Sequence, residues 1–283
     1  EEAAEHYRAS LRASRLLGDD AGMVKAASNL ANLLVNLHQL SEASYWVERV
    51  DTGARRNQMA LVLSYNRIVR GMIRHGEGRL DEARKELMEA ANDLRNLGAS
   101  GEAGEALIDL GMVARTANDV DGIRHYASAI ENQIEESGAE KQRFWVRFLR
   151  GEASRLSGDM ETTIKEIHSL LDAADSFDMG ALNWRCEGAL ARAYREQKQS
   201  DESELYYEKA VQRIEAQSAG MSSRVYDQFW SEPERAALKR EWKTVPAEDD
   251  ELTIKAKHIH ERFMRMMEIN RRLVSERNQK KLL

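Results

Sequence analysis

Helix-breaking residues are scarce in this sequence: only two prolines and 17 glycines occur among its 283 residues. Proline and glycine are the residues that most destabilise a helix interior, and runs of β-branched residues are also few. The chain is therefore predicted to be almost entirely α-helical. Hydrophobic residues make up 42% and charged residues 32% of the chain. This composition is typical of a protein with a packed core and a solvated helical exterior.

Cysteine and long apolar runs are also nearly absent. The single cysteine, Cys186, excludes an internal disulfide and favours a reducing, cytoplasmic location. No stretch approaches the roughly 18 apolar residues of a membrane-spanning helix, and no signal peptide is recognisable, so no membrane partner is expected. Both ends of the sequence interrupt the pattern described below, from which we expect a fragment of a larger protein.

Charge is distributed unevenly along the chain. The net charge is −6, but residues 251–283 carry nine Lys and Arg against four Asp and Glu, a local charge of +5. The rest of the chain is therefore strongly acidic, at −11. Because nucleic-acid binding depends on clustered cations, this acidic body disfavours a nucleic-acid partner and leaves that function only to the basic segment.

Motifs for catalysis, cofactors and metals are missing. The segment 76–78 is the nearest approach to a glycine-rich phosphate loop, and we interpret it as a helix–helix turn. His258 and His260 would point about 200° apart on a helix, so they cannot share a metal ion. Cys186 has no His and Asp pair near it in sequence and is interpreted as a partly buried structural thiol. We expect no enzyme activity, no cofactor and no metal.

A 40-residue repeat dominates what the sequence does contain. Gly78, Asn118 and Gly158 lie at repeat junctions, and these residue types tolerate the left-handed conformation that closes a helix. Each junction is therefore predicted to be helix, tight turn, helix. One four-residue segment recurs five times without insertion, as Leu40–Ala43, Leu80–Ala83, Val120–Ile123, Met160–Thr163 and Ser200–Ser203.

The helix that follows each junction needs an N-cap, and Ser and Asp are preferred at that position. The residues in the matching place are Ser41, Asp81, Asp121 and Asp201, which are predicted to be these caps.

Further columns of the repeat describe how the two helices of a pair pack. When the repeats are aligned, the position twelve residues before Ala43 always holds a small residue, as needed where two helices cross closely. These residues are Ala31, Gly71, Gly111, Gly151 and Ala191. Four and seven residues after it the columns are nearly all apolar, which is the spacing of one buried helical face. These columns hold Val47, Leu87, Ala127, Ile167 and Tyr207, then Val50, Ala90, Ile130, Leu170 and Ala210.

This order of small, small, bulky apolar and small residues resembles the tetratricopeptide repeat (TPR) over about residues 1–217. The longer period resembles the repeats in the sensor regions of large multidomain bacterial signalling kinases and transcription regulators. The resemblance implies an all-α, right-handed α-solenoid of antiparallel helix pairs. It also implies a non-catalytic protein–protein interaction, scaffold or sensor module in bacterial signal transduction or transcription regulation.

In stacked helical pairs the first helices line the concave face. The inward positions combine apolar and aromatic side chains with arginines, which are enriched in protein interfaces. Two interpretations stay open: a groove for a protein or peptide segment, which could belong to another domain of the same chain, or ordinary packing and solvated charge. The predicted partner-binding residues are Tyr65, Ile68, Met72, Ile108, Met112, Arg115, Trp145, Phe148, Arg155, Arg192 and Arg195.

The period ends after the repeats, and three domains are predicted: a solenoid over 1–218, a helical cap and linker over 219–246, and a long amphipathic connector helix over 247–283. The cap is expected as two short helices, Arg224–Trp230 and Glu232–Trp242, with Ser231 as N-cap and Pro233 at the start of the second helix. The side chains predicted to cover the end of the solenoid are Val225, Phe229, Trp230, Leu238 and Trp242.

Residues 252–273 carry a heptad pattern, which predicts a projecting, coiled-coil-like helix. This segment also resembles the helical connector before a small-molecule-sensing domain in the same bacterial proteins. Self-association into a homodimer through 251–283 is therefore an alternative function. Its predicted contact residues are Leu252, Ile259, Phe263, Met266, Asn270 and Leu273.

Overall fold

A computed structural model describes residues 2–137, 139, 141–174 and 179–244. Over these residues the chain forms thirteen α-helices and contains no strand, which confirms the predicted all-α class. The predicted connector helix and its heptad residues lie outside the described part. The helices are α1 (Glu2–Leu17), α2 (Asp20–Asn36), α3 (Leu40–Arg56), α4 (Ala60–Gly76), α5 (Leu80–Asn96), α6 (Ser100–Thr116), α7 (Val120–Ser137), α8 (Lys141–Leu156), α9 (Met160–Ala174), α10 (Gly180–Glu196), α11 (Ser200–Gln217), α12 (Ser223–Trp230) and α13 (Pro233–Lys243).

The helices form two compact units, one of α1 to α9 and the other of α10 to α13. Domain boundaries at residues 218 and 246 stay predictions. None of the described helices is long and apolar enough to cross a membrane.

The turns between helices share one conformation, which recurs every 20 residues. Two residues before each of α2 to α7, α9 and α11, the backbone φ lies between 54° and 86°, the left-handed region that closes helices. At the α2–α3 turn, for example, the amides of His38 and Gln39 donate to the carbonyls of Val35 and Leu34, both at 2.8 Å. The predicted left-handed conformation of Gly78, Asn118 and Gly158 is confirmed. The left-handed residues are Gly18, His38, Gln58, Gly78, Gly98, Asn118, Gly158 and Lys198.

The predicted N-caps are wrong by two residues. The short turn allows each helix to begin two residues earlier than the predicted cap requires, so Ser41, Asp81, Asp121 and Asp201 lie within the first helical turn. The acidic side chains among them still interact favourably with the positive end of the helix dipole. Side-chain capping is seen at α2, α7 and α9, where Asp19, Asp119 and Asp159 just before the helix accept from the amides of Gly22, Gly122 and Thr162 at 2.8, 2.9 and 3.1 Å.

Within the α1–α9 unit, the small column lets paired helices cross closely. A Cβ placed on Gly71 would lie only 2.6 Å from Cγ of Leu87, and one on Gly151 only 2.5 Å from Cδ1 of Ile167. The Thr163 hydroxyl also donates to the Gly151 carbonyl at 3.2 Å. The predicted apolar columns are buried along this unit, at Val47, Leu87, Ala127, Ile167, Val50, Ala90, Ile130 and Leu170.

First helices in this unit also lie side by side, because α2 contacts α4, α4 contacts α6 and α6 contacts α8. The side chains of these four helices therefore line one continuous side of the unit. We call this side the first-helix face.

In the α10–α13 unit, α10 and α11 form the last regular pair. The Ser203 hydroxyl donates to the Ala191 carbonyl at 2.9 Å, as Thr163 does to Gly151. Two short helices follow, as predicted, and α13 packs against α11. Pro233 opens α13, but Glu232 rather than Ser231 caps it, because its carboxylate accepts from the amides of residues 234 and 235. Four of the five predicted cap side chains are buried and Trp242 is half-buried, in the set Val225, Phe229, Trp230, Leu238 and Trp242.

Candidate binding surface

The first-helix face has a buried floor and a partly exposed rim. Four predicted partner-binding residues form part of the floor, where they are buried: Ile68, Ile108, Met112 and Phe148. Tyr65, Met72 and Trp145 remain partly exposed above them. The Trp145 ring meets the Phe148 ring edge-on, with centroids 6.1 Å apart, so the floor holds the exposed indole in place. Only the rim side chains are therefore positioned to touch a partner directly.

Tyr65 lies at the boundary between two first helices. Its hydroxyl accepts a hydrogen bond from Nδ2 of Asn32 on α2, at 3.2 Å. Burial, together with the charges of Glu105, Asp109 and Glu102 on α6, raises the pKa of Tyr65 to about 12. The phenol therefore stays neutral and faces a negative potential.

The three carboxylates on α6 make this part of the first-helix face acidic. Partial desolvation by the surrounding wall and the charge of Glu102 raise the pKa of the Glu105 carboxyl above its ordinary value, although the side chain remains exposed. The sequence analysis did not single out this group. Its spacing of i, i+3 and i+7 on α6 was the available signal, because those positions share one helical face. A cation placed here would relieve repulsion among Glu102, Glu105 and Asp109.

Two of the predicted arginines lie further along the same face, where they flank a buried glutamate. Arg115 Nη1 lies 3.0 Å from Oε2 of Glu152, and Arg155 Nε lies 2.8 Å from Oε1. The Glu152 side chain is 0% exposed, whereas those of Arg115 and Arg155 are 11% and 13% exposed. The Arg115 guanidinium also lies over the Phe148 ring, 5.7 Å from its centroid. Arg115 thus links α6 to α8, whereas Arg155 pairs with Glu152 within α8, and a role in partner binding stays a prediction for both arginines.

Other polar contacts tie the first helices together. His75 Nε2 on α4 lies 2.8 Å from the Thr116 hydroxyl on α6. Gln142 on α8 donates from Nε2 to the Gly101 carbonyl on α6, at 2.8 Å. Within the α1–α9 unit, each neighbouring pair among α2, α4, α6 and α8 is therefore joined by at least one side-chain hydrogen bond, which fixes the spacing of the rim residues.

The remaining predicted arginines belong to α10 in the other unit. Arg192 Nε lies 2.8 Å from Oε2 of Glu241 on α13. Arg195 is exposed, and its guanidinium lies over the Tyr207 ring, 5.4 Å from the centroid. A partner of the first-helix face need not involve either residue.

A charged groove of about 360 Å³ lies between α3, α4 and α5. Arg67 and Arg70 line it, and both are already engaged: Arg67 with Glu89 and Asp93, and Arg70 with Asp51 and Glu86. Within the described ranges, no three His, Cys, Asp or Glu side chains converge in a way that could hold a metal ion. Cys186 is fully buried. These regions offer structural contacts, so the first-helix face is the candidate binding surface.

The residues predicted to mediate self-association lie outside the described part of the chain. They are Leu252, Ile259, Phe263, Met266, Asn270 and Leu273.

Comparison with known proteins identifies the fold. No protein-family model matches the chain, and no curated protein matches its sequence. BtubC (BKLC) from P. vanneervenii is similar in structure, with a TM-score of 0.56 and 14% identity over 79% of this chain and 94% of that one. A Rap protein complexed with Competence and Sporulation Factor follows, with a TM-score of 0.51 and 13% identity over 91% of this chain and 86% of that one. The chain is thus an all-α, TPR-like helical-repeat protein.

Proposed function

We propose that this chain is a non-catalytic interaction module that binds a protein segment on the first-helix face of the α1–α9 unit. The observation that carries the proposal is the composition of that face. A rigid, buried floor supports partly exposed Tyr65, Met72 and Trp145, and aromatic and methionine side chains of this kind are enriched in protein interfaces.

The charges on this face favour a partner with a basic side chain. Besides burial, the charges of Glu105, Asp109 and Glu102 raise the pKa of Tyr65, so these carboxylates act on this part of the face. A lysine or arginine of the partner would be attracted to Glu105, which is exposed. Apolar side chains of the same segment would pack against the Tyr65 and Trp145 rings.

The proposed context is a multidomain bacterial signalling or transcription-regulatory protein. Its support is the resemblance of the repeats to sensor regions of such proteins. A solved relative of the same fold, the Rap protein, is in complex with a factor, which is consistent with this fold acting as a binding scaffold. Self-association through residues 251–283 stays a separate prediction from the sequence.

The test is a charge reversal at Glu105, made after the partner has been identified by affinity capture with the wild-type chain and purified. Glu105→Arg is expected to weaken binding of that partner at least tenfold, measured by isothermal titration calorimetry. The substitution removes one of three clustered carboxylates, so it should leave the thermal midpoint unchanged or slightly raised.

Glu135→Arg on α7 is the matched control, because Glu135 is also exposed but lies on a second helix. It makes the same change in net charge and should bind the partner as the wild type does. Equal affinities for the two variants would contradict binding on the first-helix face.

A further inference from the structure

The face of α10 in the α10–α13 unit is built to receive a helix. The α10 positions equivalent to those of the first-helix face carry Arg185, Gly188 and Arg192, whereas the place of Gly188 is taken in earlier repeats by a large side chain such as Ile108 or Phe148. A Cβ on Gly188 would lie 2.8 Å from Cδ2 of Leu238 on α13. The glycine therefore makes a notch that a leucine fills, with an arginine on either side.

α13 matches this surface residue for residue. Oε2 of Glu234 lies 2.9 Å from Nε of Arg185, Leu238 enters the notch, and Oε2 of Glu241 lies 2.8 Å from Nε of Arg192. The Tyr207 hydroxyl of α11 also donates to Glu241, at 3.1 Å. Glu234, Leu238 and Glu241 are spaced i, i+4 and i+7, so they share one face of α13.

The three contacts keep a nearly constant separation of 49 or 50 residues, which means that α13 runs parallel to α10. The first helices α6 and α8 are matched in the same way, through Gly111 with Leu149 and Arg115 with Glu152. α13 therefore reaches α10 through the same kind of side-chain match, while its backbone packs against α11. We call the surface formed by Arg185, Gly188, Arg192 and Tyr207 the α10 groove.

Two of the three side-chain contacts between α13 and α10 are ion pairs. Only Arg235 and Leu238 of its eleven residues are buried, and Arg235 donates to the Phe229 carbonyl of α12 rather than to α10. Leu238 is therefore the one apolar side chain that α13 buries completely. A short helix with so little buried apolar surface belongs to the part of a protein that opens most readily.

We propose that α13 is an exchangeable occupant of the α10 groove, and that the same groove binds a partner helix with the pattern Glu–x3–Leu–x2–Glu. α13 then acts as a competitor within the chain, and a partner helix of this pattern binds by displacing it. This inference is independent of the proposed function, because it concerns the other unit and an acidic rather than a basic partner.

The first test uses the full chain and a fluorescein-labelled synthetic peptide of residues 232–244. Leu238→Asp should expel α13, because it places a carboxylate in the apolar notch. The variant chain is expected to bind the peptide at least tenfold more tightly than the wild-type chain, measured by fluorescence anisotropy. A variant that keeps wild-type helicity by circular dichroism and yet binds no more tightly would overturn the proposal.

Charge reversal tests the recognition pattern. A peptide with Glu234→Arg and Glu241→Arg should bind the Leu238→Asp chain at least tenfold more weakly than the native peptide. A chain that also carries Arg185→Glu and Arg192→Glu should reverse that preference. If the chain with reversed arginines still preferred the native peptide, the peptide would bind elsewhere and the proposal would be wrong.

Hydrogen exchange of the wild-type chain provides the answer even if Leu238→Asp loses helicity. Excess unlabelled peptide should raise the exchange rates of amides 233–243 at least tenfold and leave those of α4 to α8 unchanged. Exchange in α13 that does not respond to the peptide would exclude displacement. Binding of the separate partner to the first-helix face can succeed or fail without affecting any of these results.

Discussion

Replacing Glu152 with glutamine is expected to lower the free energy of unfolding of the chain by about 3 kcal/mol, because removal of one member of a buried ion pair leaves the other charge uncompensated. Glu152 is fully buried, and its two partners, Arg115 and Arg155, are only 11% and 13% exposed. Glutamine preserves the size of the side chain but leaves two guanidinium groups facing a neutral amide. The thermal midpoint should fall by roughly 6–12 °C.

The matched control is Glu131→Gln, which removes the same charge from an ion pair in the same unit. Glu131 pairs with Arg150, but their side chains are 39% and 51% exposed, so water solvates whichever charge remains. The expected loss is below about 1 kcal/mol. Urea unfolding followed by far-ultraviolet circular dichroism measures both variants. Equal losses for the two would show that the Arg115–Glu152–Arg155 group is not a buried network.

The second large effect is expected at Gly71, where α4 crosses α5. Gly71→Val should destabilise the chain by about 2–3 kcal/mol, because added atoms in a filled core force side chains and backbone to shift. A Cβ at this position would lie 2.6 Å from Cγ of Leu87. Cγ is the branch point of that side chain, which is itself fully buried and cannot rotate away.

Gly101→Val is the control for this substitution. Gly101 is also helical, in the first turn of α6, but nothing lies within 4 Å of a Cβ placed there. Valine has a slightly better helix propensity than glycine, so stability should stay unchanged or rise by a few tenths of a kcal/mol, on the order of helix-propensity differences. A loss at residue 101 as large as that at residue 71 would mean that backbone conformation, not crowding, decides the result.

The periodic features were predictable from the sequence because they arise from local geometry that each repeat reproduces. The small residue at Gly71 or Gly151 and the left-handed residue at Gly78 or Asn118 are required by every helix pair, so 40-residue recurrence exposes them. The left-handed turn also occurs at residues such as Gln58 and Lys198, whose residue types have no preference for that conformation. There the spacing of the repeat is the better guide than residue type.

Side-chain pairing between helices was much less predictable. Arg115 and Arg155 lie on the first-helix face, as predicted. Whether they are solvated depends on Glu152, which is 37 residues from Arg115 in sequence. Arg192 meets Glu241 from a helix that follows the repeats. The acidic group around Glu105 was not predicted, because carboxylates spaced along a helix are as common on a solvated face as in a binding site. Pairings of this kind depend on the three-dimensional neighbours of each helix, which periodicity alone does not specify.

Site-specific photo-crosslinking tests the central claim most directly. Benzoylphenylalanine would replace Tyr65 on the first helix α4 or Tyr126 on the second helix α7, which are both half-buried aromatic positions. With the purified partner present, irradiation should yield a covalent complex from position 65 and none from position 126. Crosslinks from position 126 alone would contradict the account and place the binding surface on the second helices.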